Sequence, residues 1–158
     1  MREHNDARKK LLTSGTLIAS LSAVTGCSSP TLPTYDTVRA ETEAAIQRIA
    51  DELPAGARFS PRPEGSPYGC DSGGVMYTGQ WDMYPAPGFD GGRFIETLPD
   101  QLGDGFTVEE LGFDPGFPAL GLIADAYGGT GINVSVGSID GADVVGITAL
   151  SRCAQPPE

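Results

Sequence analysis

Enzyme chemistry needs a proton carrier, a nucleophile or a metal. This chain has one histidine, His4, and two lysines, Lys9 and Lys10, all within its first ten residues. From residue 11 onward it therefore has no material for Ser-His, Cys-His or Ser-Lys pairs, nor for a Schiff base. Carboxylates remain, as in glycoside hydrolysis. By residue type the candidates are Glu109-Glu110, Asp82 and Asp125. The chain carries 21 acidic residues, so nearly any one of them reads as a solvated surface charge. We expect no catalytic site. The other reactive groups are three thiols, Cys27, Cys70 and Cys153.

Cys27 stands at the end of an ordered run. A basic patch, Arg8-Lys9-Lys10, precedes an apolar stretch from Leu11 to Ala23, and small residues then lead to the cysteine. That is the layout of a secretory signal. The stretch contains Thr13, Ser14, Gly15, Thr16, Ser20 and Ser22, and it is shorter than the roughly 20 apolar residues of a spanning helix. The four residues Val24-Thr25-Gly26-Cys27 resemble the lipobox of bacterial lipoproteins, with an apolar residue three before the cysteine and a small one directly before it. The resemblance implies a diacylglyceryl group, typically palmitate-bearing, on the Cys27 sulfur. It also implies cleavage after Gly26, with or without a further N-acyl chain. It places the protein on the extracytoplasmic face of the cell membrane, held by lipid. Arg8-Lys9-Lys10 lacks two adjacent arginines, so the twin-arginine export route is only weakly supported.

On this reading residues 1–26 are signal peptide, 27–35 the lipidated N-terminus and tether, and 36–158 a single domain. Acylation of Cys27 leaves Cys70 and Cys153 as a pair in an oxidising compartment. The alternatives are two buried free thiols or a pair binding metal, although no histidine or nearby third cysteine completes a zinc set. We expect no cofactor and no metal.

Charge limits the partners. Four of the 10 basic residues and two of the 21 acidic ones precede Cys27, leaving six arginines against 19 acids. A nucleic-acid backbone would be repelled, since that affinity rests on clustered Lys and Arg. Anionic headgroups would be repelled too, so membrane attachment must come from acyl chains, and two chains anchor stably where one does not.

The elements that would position any site follow from pattern. Residues 28–34, with Pro30 and Pro33, read as a semi-rigid tether of roughly 20 Å. Val38, Thr42, Ala45, Ile46, Ile49 and Leu53 make one apolar stripe, predicting a helix over 36–53, capped by Thr34 or Asp36 and stopped by Pro54. Residues 54–74, rich in Pro, Gly and Ser, read as irregular. A strand follows over 75–84, with Val75, Tyr77, Trp81 and Met83 on one side. A helix is expected over 90–102, kinked or split at Pro99. Residues 106–111 are a short strand candidate. Strands over 120–127, 131–137 and 143–151 close the chain, with turns at Gly128-Gly129 and Asp140-Gly141. The order α-β-α-β-β-β-β indicates an α+β fold, a mostly antiparallel sheet of 4–5 strands with two helices on one face. This plan and the late cysteine pair, over residues 36–153, are similar to small actinobacterial lipoproteins, including mycobacterial ones, most of which have no assigned activity.

The glycine-rich runs read as turns. Gly128-Gly129-Thr130-Gly131 lacks the lysine and spacing of a phosphate loop. Residues 138–143 lack the oxygen ladder and closing glutamate of a calcium loop. The aromatics Tyr68, Tyr77, Trp81, Tyr84, Phe89, Phe113 and Phe117 are interspersed with Pro/Gly loops. Trp81 and Tyr77 are expected in the core, and Tyr84 and Phe89 are the expected exposed contact pair. The function these features suggest is a membrane-anchored cell-envelope module that contacts a protein or wall component without catalysis. The alternatives are a carrier of a small apolar ligand and, third, a carboxylate hydrolase.

Overall fold

A computed structural model describes residues 31–63, 65–71 and 73–157. The signal segment, Cys27 and the first tether residues lie outside the described residues.

Helix α1 spans Tyr35–Ala50, its first turn capped by Thr34, whose hydroxyl accepts from the Thr37 amide at 3.2 Å. Its buried stripe holds Val38, Thr42, Ala45, Ile46 and Ile49, five of the six residues the periodicity selects; the sixth, Leu53, is buried beyond the helix, which ends at Ala50 and not at the expected 53. Strand β1 (Arg58–Pro61) follows, then a small hairpin of β2 (Tyr68–Gly69) and β3 (Val75–Met76), then β4 (Thr78–Tyr84). Helix α2 (Gly91–Leu102) is capped by the Asp90 carboxylate, which accepts from the Arg93 amide at 3.0 Å. It runs unbroken through Pro99 and buries Phe94, Leu98 and Leu102. Strands β5 (Thr107–Glu109), β6 (Ala119–Ala124), β7 (Thr130–Ile139) and β8 (Ala142–Leu150) complete the chain.

The fold is α+β. Six strands form one antiparallel sheet in the order β1-β4-β8-β7-β6-β5, beside the two-stranded β2-β3 hairpin. The expected sheet of 4–5 strands and the order α-β-α-β-β-β-β are thus corrected. The stretch 54–74 contributes a strand and half a hairpin, giving α-β-β-β-β-α-β-β-β-β. The expected strand over 75–84 divides at Tyr77, and the one over 120–127 ends at Ala124 in a 3₁₀ turn, Asp125–Tyr127.

Strand registry sorts side chains onto two faces. On the helix side, rows of directly opposed residues are apolar: Trp81, Ile147, Val134 and Leu120 in one, Ala149, Ile132 and Leu122 in the next. They join Ala45, Ile46 and Ile49 of α1 and Phe94, Leu98 and Leu102 of α2 in one core. Burying a Leu or Ile side chain is worth about 1.5–3 kcal/mol, so this layer fixes which face the helices cover. A smaller cluster, Tyr35, Val38, Tyr77 and Ala154, lies under the start of α1.

Two long-range ties close the domain. Cys70 and Cys153 form a disulfide with Cα atoms 6.2 Å apart, joining the β2-β3 hairpin to the chain beyond β8. Gln155 donates its backbone amide to the Pro33 carbonyl (2.8 Å) and its side-chain amide to the Leu32 carbonyl (2.7 Å). Leu32 and Pro33, within the stretch read as tether, are therefore held against the domain.

Candidate functional site

The face of the sheet opposite the helices carries polar side chains, because a strand alternates its residues and the apolar set is spent on the core. One row crosses five strands: Gln80 of β4 opposes Thr148 of β8, Thr148 opposes Asn133 of β7, Asn133 opposes Gly121 of β6, and Gly121 opposes Glu109 of β5. A second row runs Ser60, Asp82, Gly146, Ser135, Ala119. A third runs Thr78, Leu150, Gly131, Ile123, Thr107. Each row contains a glycine, at Gly121, Gly146 and Gly131. A Cβ at Gly131 would meet nothing nearer than 3.9 Å, so its missing side chain helps open a trough, whereas the Glu109 carbonyl oxygen closes on the Gly121 position at 2.6 Å.

Two clefts make up this trough. One, of about 530 Å³, is lined by Tyr68, Thr78, Gln80, Thr148 and Leu150. The other, of about 480 Å³, is lined by Phe113, Pro115, Phe117, Gly121 and Ser135. They meet at Asn133 and Glu109, which line both. The margins are aromatic: Tyr68 is 66% exposed, Phe113 70% and Phe117 53%. Tyr68 is carried by the hairpin that the disulfide holds. Phe113 and Phe117 sit on the loop between β5 and β6, where the Asp114 carboxylate accepts from the Gly116 amide at 2.9 Å.

The expected contact pair is corrected. Tyr84 and Phe89 are only half-buried surface, not the exposed aromatics: the Arg58 guanidinium lies 5.6 Å from the Tyr84 ring centroid, and Phe89 packs on Phe94 at 5.5 Å. Registry places Tyr84 opposite Arg58, a pairing that a reading of β4 alone does not reveal. Tyr77 is buried and Trp81 packs against the core, as expected.

The carboxylates named by residue type are dispersed. Asp82 receives two hydrogen bonds from Arg62, at 2.7 and 3.1 Å, which raise the arginine's pKa above its ordinary value. Asp125 accepts from the Thr107 hydroxyl at 2.6 Å. Glu109 and Glu110 are exposed, Glu109 at the end of the polar row. Among the described residues no group of three His, Cys, Asp or Glu could hold a metal ion. Among them, too, no helix is long and apolar enough to cross a membrane.

Pattern reading identifies the solvated side of β7 and β8 but misses the trough, because the row exists only once β4, β8, β7, β6 and β5 are in register. Comparison with known proteins finds no family model, no curated protein and no solved structure that matches the chain.

Proposed function

We propose that this chain is a lipid-anchored protein of the bacterial cell envelope, whose folded domain is a non-catalytic binding module working through the helix-free face of its sheet. The run Val24-Thr25-Gly26-Cys27 behind a basic and apolar segment supports the anchor. The Cys70–Cys153 bridge fits a chain that matures outside the reducing cytoplasm. One observation carries the binding role: two clefts join across a row of polar side chains whose alternation leaves them facing solvent, flanked by exposed aromatics. An enclosed structural role would leave such a face covered.

A carrier of an apolar ligand calls for an enclosed cavity of several hundred Å³. The layer between sheet and helices is instead filled by Ile46, Ile49, Met83, Leu98, Leu122 and Ile147, all buried. A carboxylate hydrolase calls for two acids facing across a cleft at roughly 5–10 Å, whereas Asp82 is engaged by Arg62 and Asp125 by Thr107.

The anchor is tested by Cys27→Ala. The variant is expected in the soluble extracytoplasmic fraction while the natural chain sediments with membranes. Continued sedimentation of the variant would remove the lipid anchor from this reading.

A further inference from the structure

We propose that the trough binds a neutral saccharide chain lying across the strands, an inference that rests on the helix-free face being the binding surface. The floor supplies the first argument. Gln80 and Asn133 offer primary amides, and Thr148 and Ser135 offer hydroxyls, each able to donate and accept. A sugar's hydroxyls ask for that dual capacity, whereas a phosphate or an ammonium asks for partners of one polarity. Among the described residues the side chains of Gln80, Asn133 and Thr148 have no hydrogen-bond partner in the protein, so their bonding capacity is open to a ligand. The Thr78 hydroxyl, on the trough wall, is shielded from solvent and also unpartnered.

Charge complementarity selects a neutral ligand. The trough's own acids, Glu109 and Glu110, lie together at one end of it, and Asp82 is matched by Arg62. No lysine follows residue 10, and the chain's net charge is −11, so a polyanion is repelled. A polycation would find carboxylates only at the Glu109–Glu110 end and leave the uncharged floor unmatched. The aromatic margins fit the same ligand, since Tyr68, Phe113 and Phe117 are exposed at the clefts' edges, where the C–H side of sugar rings can pack on them. Strands lie about 4.8 Å apart, so the row from Gln80 to Glu109 spans about 19 Å, room for a short oligosaccharide rather than one sugar.

Gly131 provides a clean test. A Cβ there would meet nothing nearer than the Leu150 carbonyl oxygen at 3.9 Å, so Gly131→Val fits the fold while projecting into the trough. The natural protein, purified from membranes in detergent, would be titrated by calorimetry with chitotetraose and cellotetraose, with polygalacturonate as polyanion and oligolysine as polycation. At least one neutral tetramer is expected to bind, with oligolysine and polygalacturonate silent. Asn133→Ala and Gln80→Ala should each weaken binding about tenfold. Gly131→Val should abolish it without lowering the unfolding temperature. Binding of oligolysine alone would overturn the saccharide while leaving a binding face. Sugar binding that survives in both Gly131→Val and Asn133→Ala would overturn the trough, and failure of all four probes would overturn the proposal. None of these outcomes depends on Cys27, whose membrane fractionation reports separately on the anchor.

Discussion

Arg152 and Glu41 meet fork to fork across 111 positions of sequence: Nη1 lies 2.9 Å from Oε2, and Nη2 donates to Oε1 at 3.1 Å. The pair fastens α1 to the chain just past β8, and the guanidinium occupies the space beside Gly128 where a Cβ would stand. Gly128 itself has φ +70°, a conformation that favours glycine. Two substitutions therefore differ in a predictable way. Both side chains of the ion pair are about a third exposed, so Arg152→Ala should cost about 1 kcal/mol or less, given solvent screening. Gly128→Ala combines left-handed backbone with displacement of the arginine and should cost about 1–3 kcal/mol. In the double variant the costs should overlap, because the arginine is already gone. Urea unfolding of the four proteins decides it; equal losses for the two single variants would contradict the account.

The disulfide yields a second expectation. Cys70 and Cys153 are 83 positions apart, and closing a loop of that length removes unfolded-chain freedom worth about 4.5 kcal/mol in the entropy model, with about 2–4 kcal/mol usual in practice. Cys70→Ser with Cys153→Ser should lower the stability by that amount while retaining the antiparallel sheet, which has its own core. The loss should be largest locally, at the tight turn where the Cys70 amide donates to the Gly74 carbonyl and Gly73 donates back. Hydrogen exchange comparing the 68–76 hairpin with β7 and β8 tests this; uniform protection across both would sink the localised effect.

The sequence made some elements plain and concealed others for a physical reason. Helix α1 was legible because Val38, Thr42, Ala45, Ile46 and Ile49 pay their burial on one stripe, and β7 because Ile132 and Val134 alternate with Asn133 and Ser135. Strand β1 was not, since all four of its residues are exposed and Pro61 ends it; an edge strand of this kind is specified by its partner β4, 20 or more positions on. The candidate site suffered likewise. Asn133 and Ser135 could be assigned to a solvated face, but the alignment of Asn133 with Thr148, Gln80 and Glu109, and of Ser135 with Gly146 and Asp82, is a matter of long-range registry, which local pattern does not encode. The same omission misplaced the aromatics. Tyr84 looked free beside a Pro/Gly loop until β1 brought Arg58 over its ring, and Tyr68 looked like part of an irregular connection until the disulfide fixed its hairpin.

Two glycines on opposite faces of the sheet should respond to one added methyl with opposite sign. Gly79 of β4 faces α1: a Cβ there would stand 2.6 Å from Ile46 Cδ1, 3.4 Å from Tyr77 Cε1 and 3.6 Å from Thr42 Cγ2. Ile46 and Thr42 are fully buried, so the isoleucine tip has nowhere to retreat without pushing on the core. Gly79→Ala should therefore destabilise by about 1–3 kcal/mol, the usual cost of overpacking. Gly131 of β7 faces the trough, where the nearest atom to a new Cβ is 3.9 Å away. There the methyl restricts the unfolded chain and strengthens the strand, and Gly131→Ala should stabilise by about 0.4–1 kcal/mol. Paired urea titrations measure both. If Gly79→Ala were neutral, α1 would not seat on β4 at the distance described; if Gly131→Ala were costly, the helix-free face would be packed against something at that point, and the trough would not be open.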